Sequence, residues 1–221
     1  MKEEFYFDGQ AKSLMRILSP KREDRILIVG TGTSPMAEYF LKREFNVKKI
    51  TSIDVSKENI TNAKRILPDG DFIFADANKK LPFKKNSFDK VIIAQVLPYL
   101  KNEESSLSEI NRVLKKDGRM VLSVPKGCFL NIINPVILFQ RKREYQKENL
   151  NNILKKANFK EIIFSEGGGI YDLLNLITHC IFKYCFRTYH ANPFKIFLKG
   201  MDRSWEGKSK GIVLMVECKK K

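Results

Sequence analysis

Short, continuous apolar runs alternate along the chain with segments in which apolar residues recur every three or four positions. The continuous runs predict strands that are buried on both faces, and the longer spacing predicts amphipathic helices. The predicted strands are Arg25–Val29, Lys49–Ile53, Asp71–Ala75, Phe88–Ala94, Arg119–Val124, Lys160–Phe164 and Gly211–Cys218. The predicted helices are Phe5–Leu18, Pro35–Phe45, Lys57–Leu67, Glu103–Leu114 and Leu150–Ala157.

The alternation of strands and helices as far as Val124 predicts a doubly wound α/β fold, a parallel sheet with helices on both faces. Ligands of such sheets bind at the carboxyl ends of the strands. Gly30, Asp54, Asp76 and Gln95 each follow one of the first four predicted strands. We therefore expect these residues to lie at one edge of the sheet and to form a binding site.

The segment GTGTS at residues 30–34 is the turn between the first strand and the next helix. Gly30 and Gly32 permit positive φ and allow a ligand to approach the backbone closely. Pro35 suits the first position of the helix, and the N–H groups of that helix end point toward the turn. Asp54 at the end of the second strand can accept hydrogen bonds from ribose hydroxyls, so the pair of motifs indicates a nucleoside-containing cofactor.

Composition indicates a globular domain of 221 residues with a formal net charge of +16 and 43% hydrophobic residues. Residues 1–10 lack the apolar stretch of a signal peptide, and no charge-free apolar run reaches about 18 residues, which predicts a cytoplasmic protein without a transmembrane helix. The charge is compatible with nucleic acid, with an anionic membrane surface or with ordinary solvated faces. The lysines are mostly scattered in pairs.

The four cysteines, Cys128, Cys180, Cys185 and Cys218, form no C-x-x-C pair. His179 and His190 lie near two of them in sequence, so a metal site is one interpretation. Apolar neighbours favour buried, unreactive thiols in a reducing compartment, and we predict no metal.

Four longer stretches together carry a family pattern: ILIVGTGTS followed by Asp54; DFIFADANKKLPFKKNSFDKVIIAQVLPYL; EINRVLKKDGRMVLSVP; and YQKENLNNILKKANFKEIIF. With them the chain resembles the class I, Rossmann-like S-adenosylmethionine-dependent methyltransferases, and among these the methyltransferase type 11 group. The resemblance is strong over Arg25–Val124 and looser over Tyr145–Phe164 and Gly211–Cys218.

The resemblance implies S-adenosylmethionine as the cofactor and assigns roles to individual residues. Gly30, Thr31 and Gly32 would cradle the methionine portion, and Asp54 would hold the ribose hydroxyls. The residues implied in contact with the adenine or lining the cofactor are Asp76, Ala77, Gln95 and Val96. Two positions depart from the pattern. Ile28 replaces an acidic residue that contacts the methionine amino group in the family, and Ser34 replaces the third glycine.

The resemblance also implies a seven-stranded, mainly parallel sheet in which Gly211–Cys218 is antiparallel beside the fifth strand, with helical cap insertions. We expect one domain over residues 1–221. Residues 1–24 would form an N-terminal helical lid, and residues 127–147 and 166–207 would form insertions that cap the acceptor site.

Methyl transfer is an in-line displacement at a sulfonium carbon, so position and electrostatics matter more than a dedicated nucleophile. No catalytic residue is identified, and the candidate bases by type are His179, His190, Tyr99 and Glu166. The segment Ile170–Leu198 is too apolar for an ordinary surface insertion and too charged to span a bilayer. It predicts a cap over a small-molecule acceptor or, alternatively, a surface that meets an anionic membrane and admits a lipid-linked acceptor.

Three other functions were weighed against this interpretation. An NAD-dependent oxidoreductase would require a third glycine where Pro35 stands. An adenine-amino methyltransferase of nucleic acid would carry an N/D-P-P-Y/F motif after the fourth strand, where this chain has Ala94-Gln95-Val96-Leu97. A non-catalytic protein that keeps the fold and binds the cofactor is the third.

Overall fold

A computed structural model describes residues 8–127, 143–168 and 211–221. Within them a seven-stranded sheet has the order β3-β2-β1-β4-β5-β7-β6. The strands are β1 (Arg25–Val29), β2 (Lys49–Asp54), β3 (Asp71–Phe74), β4 (Phe88–Ala94), β5 (Leu114–Pro125), β6 (Phe159–Gly167) and β7 (Val213–Lys220). The helices are α1 (Asp8–Leu18), α2 (Met36–Phe45), α3 (Lys57–Ile66), α4 (Glu103–Val113) and α5 (Lys147–Lys156).

Strands β1 to β5 pair in parallel, and β7 lies antiparallel between β5 and β6. The predicted fold class, a mainly parallel seven-stranded sheet with an antiparallel last strand, is confirmed. The turns after β1, β2, β3 and β4 all leave the sheet at its carboxyl edge, because parallel strands end together. This is the edge on which the sequence placed the binding site.

Alternate residues of the central strands serve two cores, since successive side chains of a strand point to opposite faces. On one face Leu27 and Val91 pack in a cluster with Leu107 of α4 and Leu150 of α5. On the other face a second cluster of buried residues joins β1, β4 and β5 to α1 and α2: Leu14, Met15, Leu18, Ile26, Ile28, Leu41, Ile92 and Val121. The continuous apolar runs are therefore explained by burial on both sides.

The fifth strand differs from the expectation. We predicted a helix to Leu114 and a strand that begins only at Arg119, but α4 ends at Val113 and β5 begins at Leu114. The register with β4 shifts between Phe88 and Lys90, and Asp117 has φ 58°, so the polar residues form an irregular stretch inside the strand. Pairing with β4 on both sides of this irregular stretch keeps Asp117-Gly118 inside the strand, although these two residues favour a turn.

The ends of two helices follow local signals in the sequence. The Ser56 hydroxyl accepts a 3.2 Å hydrogen bond from Asn59 N and caps α3. Asn158, the second residue after α5, has φ 61°, in the left-handed region that asparagine tolerates. Pro35 precedes α2 as its N-cap instead of occupying its first position.

Helix α1 is fixed at its C-terminal end by a buried lysine of the sheet. Lys90 Nζ donates to Leu18 O at 2.9 Å and lies 3.0 Å from Asp24 Oδ2. Lys90 is near the beginning of β4, so the end of α1 lies at the amino edge of the sheet. The beginning of α1 accordingly lies at the carboxyl edge, about 1.5 Å farther along per residue.

The boundaries of the two predicted cap insertions are held by backbone hydrogen bonds at that same edge. Gly127 N donates to Tyr145 O at 3.0 Å, and Ile212 N donates to Gly168 O at 2.8 Å. Glu166 accepts from Lys126 at 2.6 Å and pairs with Lys147 at 2.8 Å. Most residues of the insertions predicted at 127–147 and 166–207 lie outside the described part of the chain, and so does the start of the predicted lid.

Candidate functional site

The glycine turn lies directly over the end of β2. Gly30 and Gly32 have φ values of 83° and 66°, which glycine adopts without strain. The N–H groups of Gly30 and Thr31 both donate to Ile53 O, at 2.8 and 3.2 Å. The turn after β1 is therefore fastened to the neighbouring strand.

Asp54 completes this connection with its side chain. Its Oδ2 accepts from Gly32 N at 2.9 Å, and its Oδ1 accepts from Ser56 N at 2.8 Å and from Asn59 Nδ2 at 3.2 Å. A carboxylate has about four acceptor positions, so about one is left for a ligand. Asp54 is 8% exposed, which holds its orientation firmly. This structural function of Asp54 was not apparent from the sequence.

The two glycines differ in what lies in front of them. A Cβ at Gly30 would overlap Cγ2 of Val96, so Gly30 allows the segment after β4 to pack against the turn. A Cβ at Gly32 would meet no atom of the described residues within 4 Å. Val55, the residue after Asp54, is 63% exposed. The turn therefore has open space in front of Gly32, and an exposed apolar side chain follows Asp54.

Asp76 follows β3 and carries an ordered loop. Its Oδ1 accepts from both the backbone N and Nδ2 of Asn78 at 2.9 Å, and these hydrogen bonds lower the pKa of Asp76. Asn78 Oδ1 in turn accepts from Lys101 N at 2.6 Å. No described residue donates to Asp76 Oδ2, which leaves an acceptor at the sheet edge. Ala77 is half-buried beside it and packs against the core.

The segment after β4 begins with an unusual backbone conformation. Gln95 has φ 59°, in the left-handed region that side-chain-bearing residues rarely adopt, and its N–H donates to Ser123 O at 3.0 Å. Such conformations cluster at binding sites, where the surrounding structure holds them. Val96 follows and contacts Gly30 as described. The predicted site residues after β1, β2, β3 and β4 therefore lie along one edge.

Sequence reasoning missed a buried acid behind the turn. Glu38, in the first turn of α2, is 3% exposed, and its Oε1 accepts a 2.7 Å hydrogen bond from the Thr31 hydroxyl. Burial raises the pKa of Glu38, while the hydroxyls of Ser52 and Thr31 act in the opposite sense. The Ser52 hydroxyl is nevertheless outside hydrogen-bond geometry, and Glu38 Oε2 has no hydrogen-bond partner among the described residues. Acidic residues are common in the first turn of a helix, so nothing in the sequence around Glu38 indicates that it is buried.

The candidate bases differ in exposure and in surroundings. Tyr99 is 56% exposed near the site edge. Burial acts to raise the pKa of Glu166, but Lys126 and Lys147 outweigh it and lower the pKa, which makes this carboxylate a weak base. His179 and His190 lie outside the described residues. Within the described ranges no group of three or more His, Cys, Asp or Glu side chains is placed to hold a metal, and the absence of a metal stays a prediction.

Comparison with known proteins identifies the family. A family profile described as a methyltransferase domain matches residues 27–122, from β1 through most of β5. The ubiquinone/menaquinone biosynthesis C-methyltransferase UbiE of Campylobacter jejuni is 33% identical over 171 residues, which are 67% of this chain and 72% of that protein. The chain belongs to the S-adenosylmethionine-dependent methyltransferases. The cofactor of this methyltransferase family is S-adenosylmethionine, as predicted.

Other relatives of the methyltransferase extend the comparison. The demethylmenaquinone methyltransferase of Thermotoga maritima is 33% identical over 111 residues, but the match spans 50% of this chain and only 48% of that relative. The structure resembles Haemonchus contortus phosphoethanolamine N-methyltransferase 2 in complex with S-adenosyl-L-methionine, with a TM-score of 0.71 at 18% identity. That match covers 96% of this chain and 52% of the other, and it supports the fold alone.

Proposed function

We propose that this methyltransferase binds S-adenosylmethionine across the carboxyl edge of β1 to β4 and transfers its methyl group to a small, apolar acceptor. The observation that carries the proposal is the open space in front of Gly32, in a turn that Asp54 holds from behind. When bound, the cofactor supplies a methyl group activated by the positive sulfur.

The residues along the edge suit the parts of the cofactor in turn. Gly30, Thr31 and Gly32 offer a turn that the methionine portion can approach closely. Asp54 retains an acceptor position for a ribose hydroxyl, and the exposed side chain of Val55 offers an apolar face for a purine ring. The free Oδ2 of Asp76 suits an amino group of that ring, and Ala77 offers a backbone N–H. Gln95 and Val96 close the site from β4.

The acceptor class is inferred from two independent indications. Both curated relatives described above carry names that refer to menaquinone, an apolar small molecule. Residues 169–210, which follow Gly168 and precede Gly211, include a long apolar and aromatic stretch in the sequence. Together they favour an apolar acceptor covered by the insertions at 127–147 and 166–207, with residues 1–24 as a lid.

A direct assay tests the proposal. The full chain is incubated with S-adenosylmethionine and either demethylmenaquinone or phosphoethanolamine, and mass spectrometry follows S-adenosylhomocysteine and a product heavier by one methyl group. We expect methyl transfer to the quinone compound and none to phosphoethanolamine. Cofactor binding without turnover on a wider panel of apolar acceptors would instead indicate a non-catalytic binding protein.

A lipid-linked acceptor would bring the protein into contact with a membrane. None of the helices in the described part of the chain has the length and apolar character needed to cross a bilayer. A lipid-linked acceptor would require at least peripheral contact, for which the net charge of +16 suits anionic headgroups. Flotation with anionic liposomes at low salt tests this contact. Protein that stays in the soluble fraction would exclude it and leave a soluble acceptor.

A further inference from the structure

Several buried side-chain atoms of α1, α2, β2 and the glycine turn have no hydrogen-bond partner among the described residues. They include Glu38 Oε2, Gln10 Nε2, Ser34 Oγ and Ser52 Oγ, the last of which faces Glu38. Glu38 and Gln10 are each 3% exposed. Buried polar groups without hydrogen bonds are costly, so a folded protein keeps them where a ligand or a proton supplies the missing partner.

These atoms belong to α1, to α2, to β2 and to the turn that precedes α2, and α1 packs against α2. The Thr31 hydroxyl directs Glu38 toward the glycine turn through its 2.7 Å hydrogen bond. Gln10 lies near the beginning of α1, the end at the carboxyl edge. Two residues later Lys12 pairs with Glu44 of α2 at 3.9 Å and lies 5.0 Å from the Phe40 ring, so α1 runs alongside α2 at this level.

The polarity of the two unpartnered groups is complementary to an amino acid. Glu38 offers a carboxylate oxygen, which can accept a hydrogen bond from an ammonium group. Gln10 offers an amide N–H, which can donate a hydrogen bond to a carboxylate. Ile28, where the family has its usual acid, lies in the same core cluster that packs under α2. Ile28 pairs in the sheet with Ser52 of β2, and the Ser52 hydroxyl acts to lower the pKa of Glu38.

We propose that Glu38 and Gln10 receive the amino acid end of S-adenosylmethionine, with Glu38 as the counter-charge of the ammonium group and Gln10 as the donor to the carboxylate. Glu38 thereby supplies, from α2, the negative charge that β1 lacks at Ile28. The inference rests on the proposed cofactor site and adds two residues to it.

A consequence concerns protons. Burial raises the pKa of Glu38, and an ammonium group placed beside it would lower that pKa. Cofactor binding should therefore release protons at pH values that lie between the two pKa values. Lys42, on the next turn of α2, is the charged group among the described residues that acts on Glu38. Thr31 and Ser52, which face Glu38 from the turn and from β2, do not titrate.

The test compares two ligands by calorimetry. S-adenosylmethionine carries the amino acid end, and 5′-methylthioadenosine has the same nucleoside but lacks that end. We expect Glu38→Gln and Gln10→Leu to weaken S-adenosylmethionine about tenfold or more, as loss of a charge-assisted contact does, and to leave methylthioadenosine unchanged. The dependence of binding enthalpy on buffer ionisation should disappear in Glu38→Gln.

Controls separate the possible failures. Glu44→Gln removes the same charge from the exposed end of α2 and should change neither affinity nor proton release. Asp54→Ala should weaken both ligands, since both contain the ribose. Equal weakening of both ligands by Glu38→Gln, or none at all, would overturn the inference while the proposed function stands. A wild-type protein that binds neither ligand would contradict the proposed function itself.

Discussion

The backbone N–H of Gly32 donates a 2.9 Å hydrogen bond to Oδ2 of Asp54, which joins the turn after β1 to the end of β2. The residue proposed to hold the ribose therefore also fixes the turn proposed to hold the methionine portion. One substitution should disturb both halves of the site.

Asp54→Asn tests this double function. An amide nitrogen cannot accept a hydrogen bond, so the variant loses either the bond from Gly32 N or both bonds from Ser56 N and Asn59 Nδ2. We expect unfolding free energy to fall by about 1–3 kcal/mol and cofactor affinity to fall by about 1.5–3 kcal/mol. Thermal unfolding and calorimetry measure the two effects. Unchanged affinity would remove Asp54 from the site, and tighter binding of NAD than of S-adenosylmethionine would favour an oxidoreductase.

The two glycines of the turn should respond differently to alanine. Gly30→Ala combines a positive φ with an overlap on Val96, whereas Gly32→Ala enters open space. We expect Gly32→Ala to cost about 1–2 kcal/mol of stability through its backbone conformation alone, and Gly30→Ala to cost more. Both should weaken the cofactor. If Gly32→Ala binds S-adenosylmethionine as well as the wild type does, the open space is not the cofactor site.

Gln95 should be sensitive to backbone preference. Its φ of 59° suits glycine or asparagine and opposes a β-branched residue. We predict that Gln95→Val lowers the unfolding free energy by about 1–3 kcal/mol, whereas Gln95→Gly changes it by less than about 1 kcal/mol. Chemical denaturation of the two variants measures this difference. Equal stability would show that the positive φ is not needed in solution.

Stability in acid should depend on Glu109. Arg112 donates to its carboxylate at 2.6 and 2.8 Å, and with the Leu81 N–H this lowers the pKa of Glu109. A lowered pKa means that the stabilisation is complete above the ordinary value of 4.5 and is lost as pH falls through the folded-state value. Glu109→Gln should make melting temperature less dependent on pH below 4.5. Exposed Glu23→Gln serves as the control, and an unaltered slope would contradict the assignment.

The main features of the fold were predictable because they depend on local patterns. Apolar runs such as Val91–Ile93 identify central strands, and turn residues such as Gly30 identify the edge that binds ligands. The start of β5 was not predictable, since Leu114 joins the ladder only through its pairing with Phe88 of β4, ahead of the irregular polar stretch.

The positions of the site residues were predictable from the sequence, but their hydrogen bonds and burial were not. Family motifs indicate Asp54 and Asp76, but no pattern reveals which backbone groups already occupy a carboxylate. Glu38 was missed for a related reason. Its burial depends on how α2 lies over Ile28 and Ser52, and that is a property of the assembled sheet rather than of the sequence around Glu38.

The hydrogen bonds that join Gly127 to Tyr145 and Gly168 to Ile212 make the intervening segments exchangeable parts. Each pair of ends is brought together by the sheet itself, and closing a loop of greater length adds little further entropic cost. We therefore expect replacements or insertions between these ends to leave the pairing of β5, β6 and β7 unaltered. A scaffold of this kind can acquire a new acceptor by grafting while its cofactor edge stays the same.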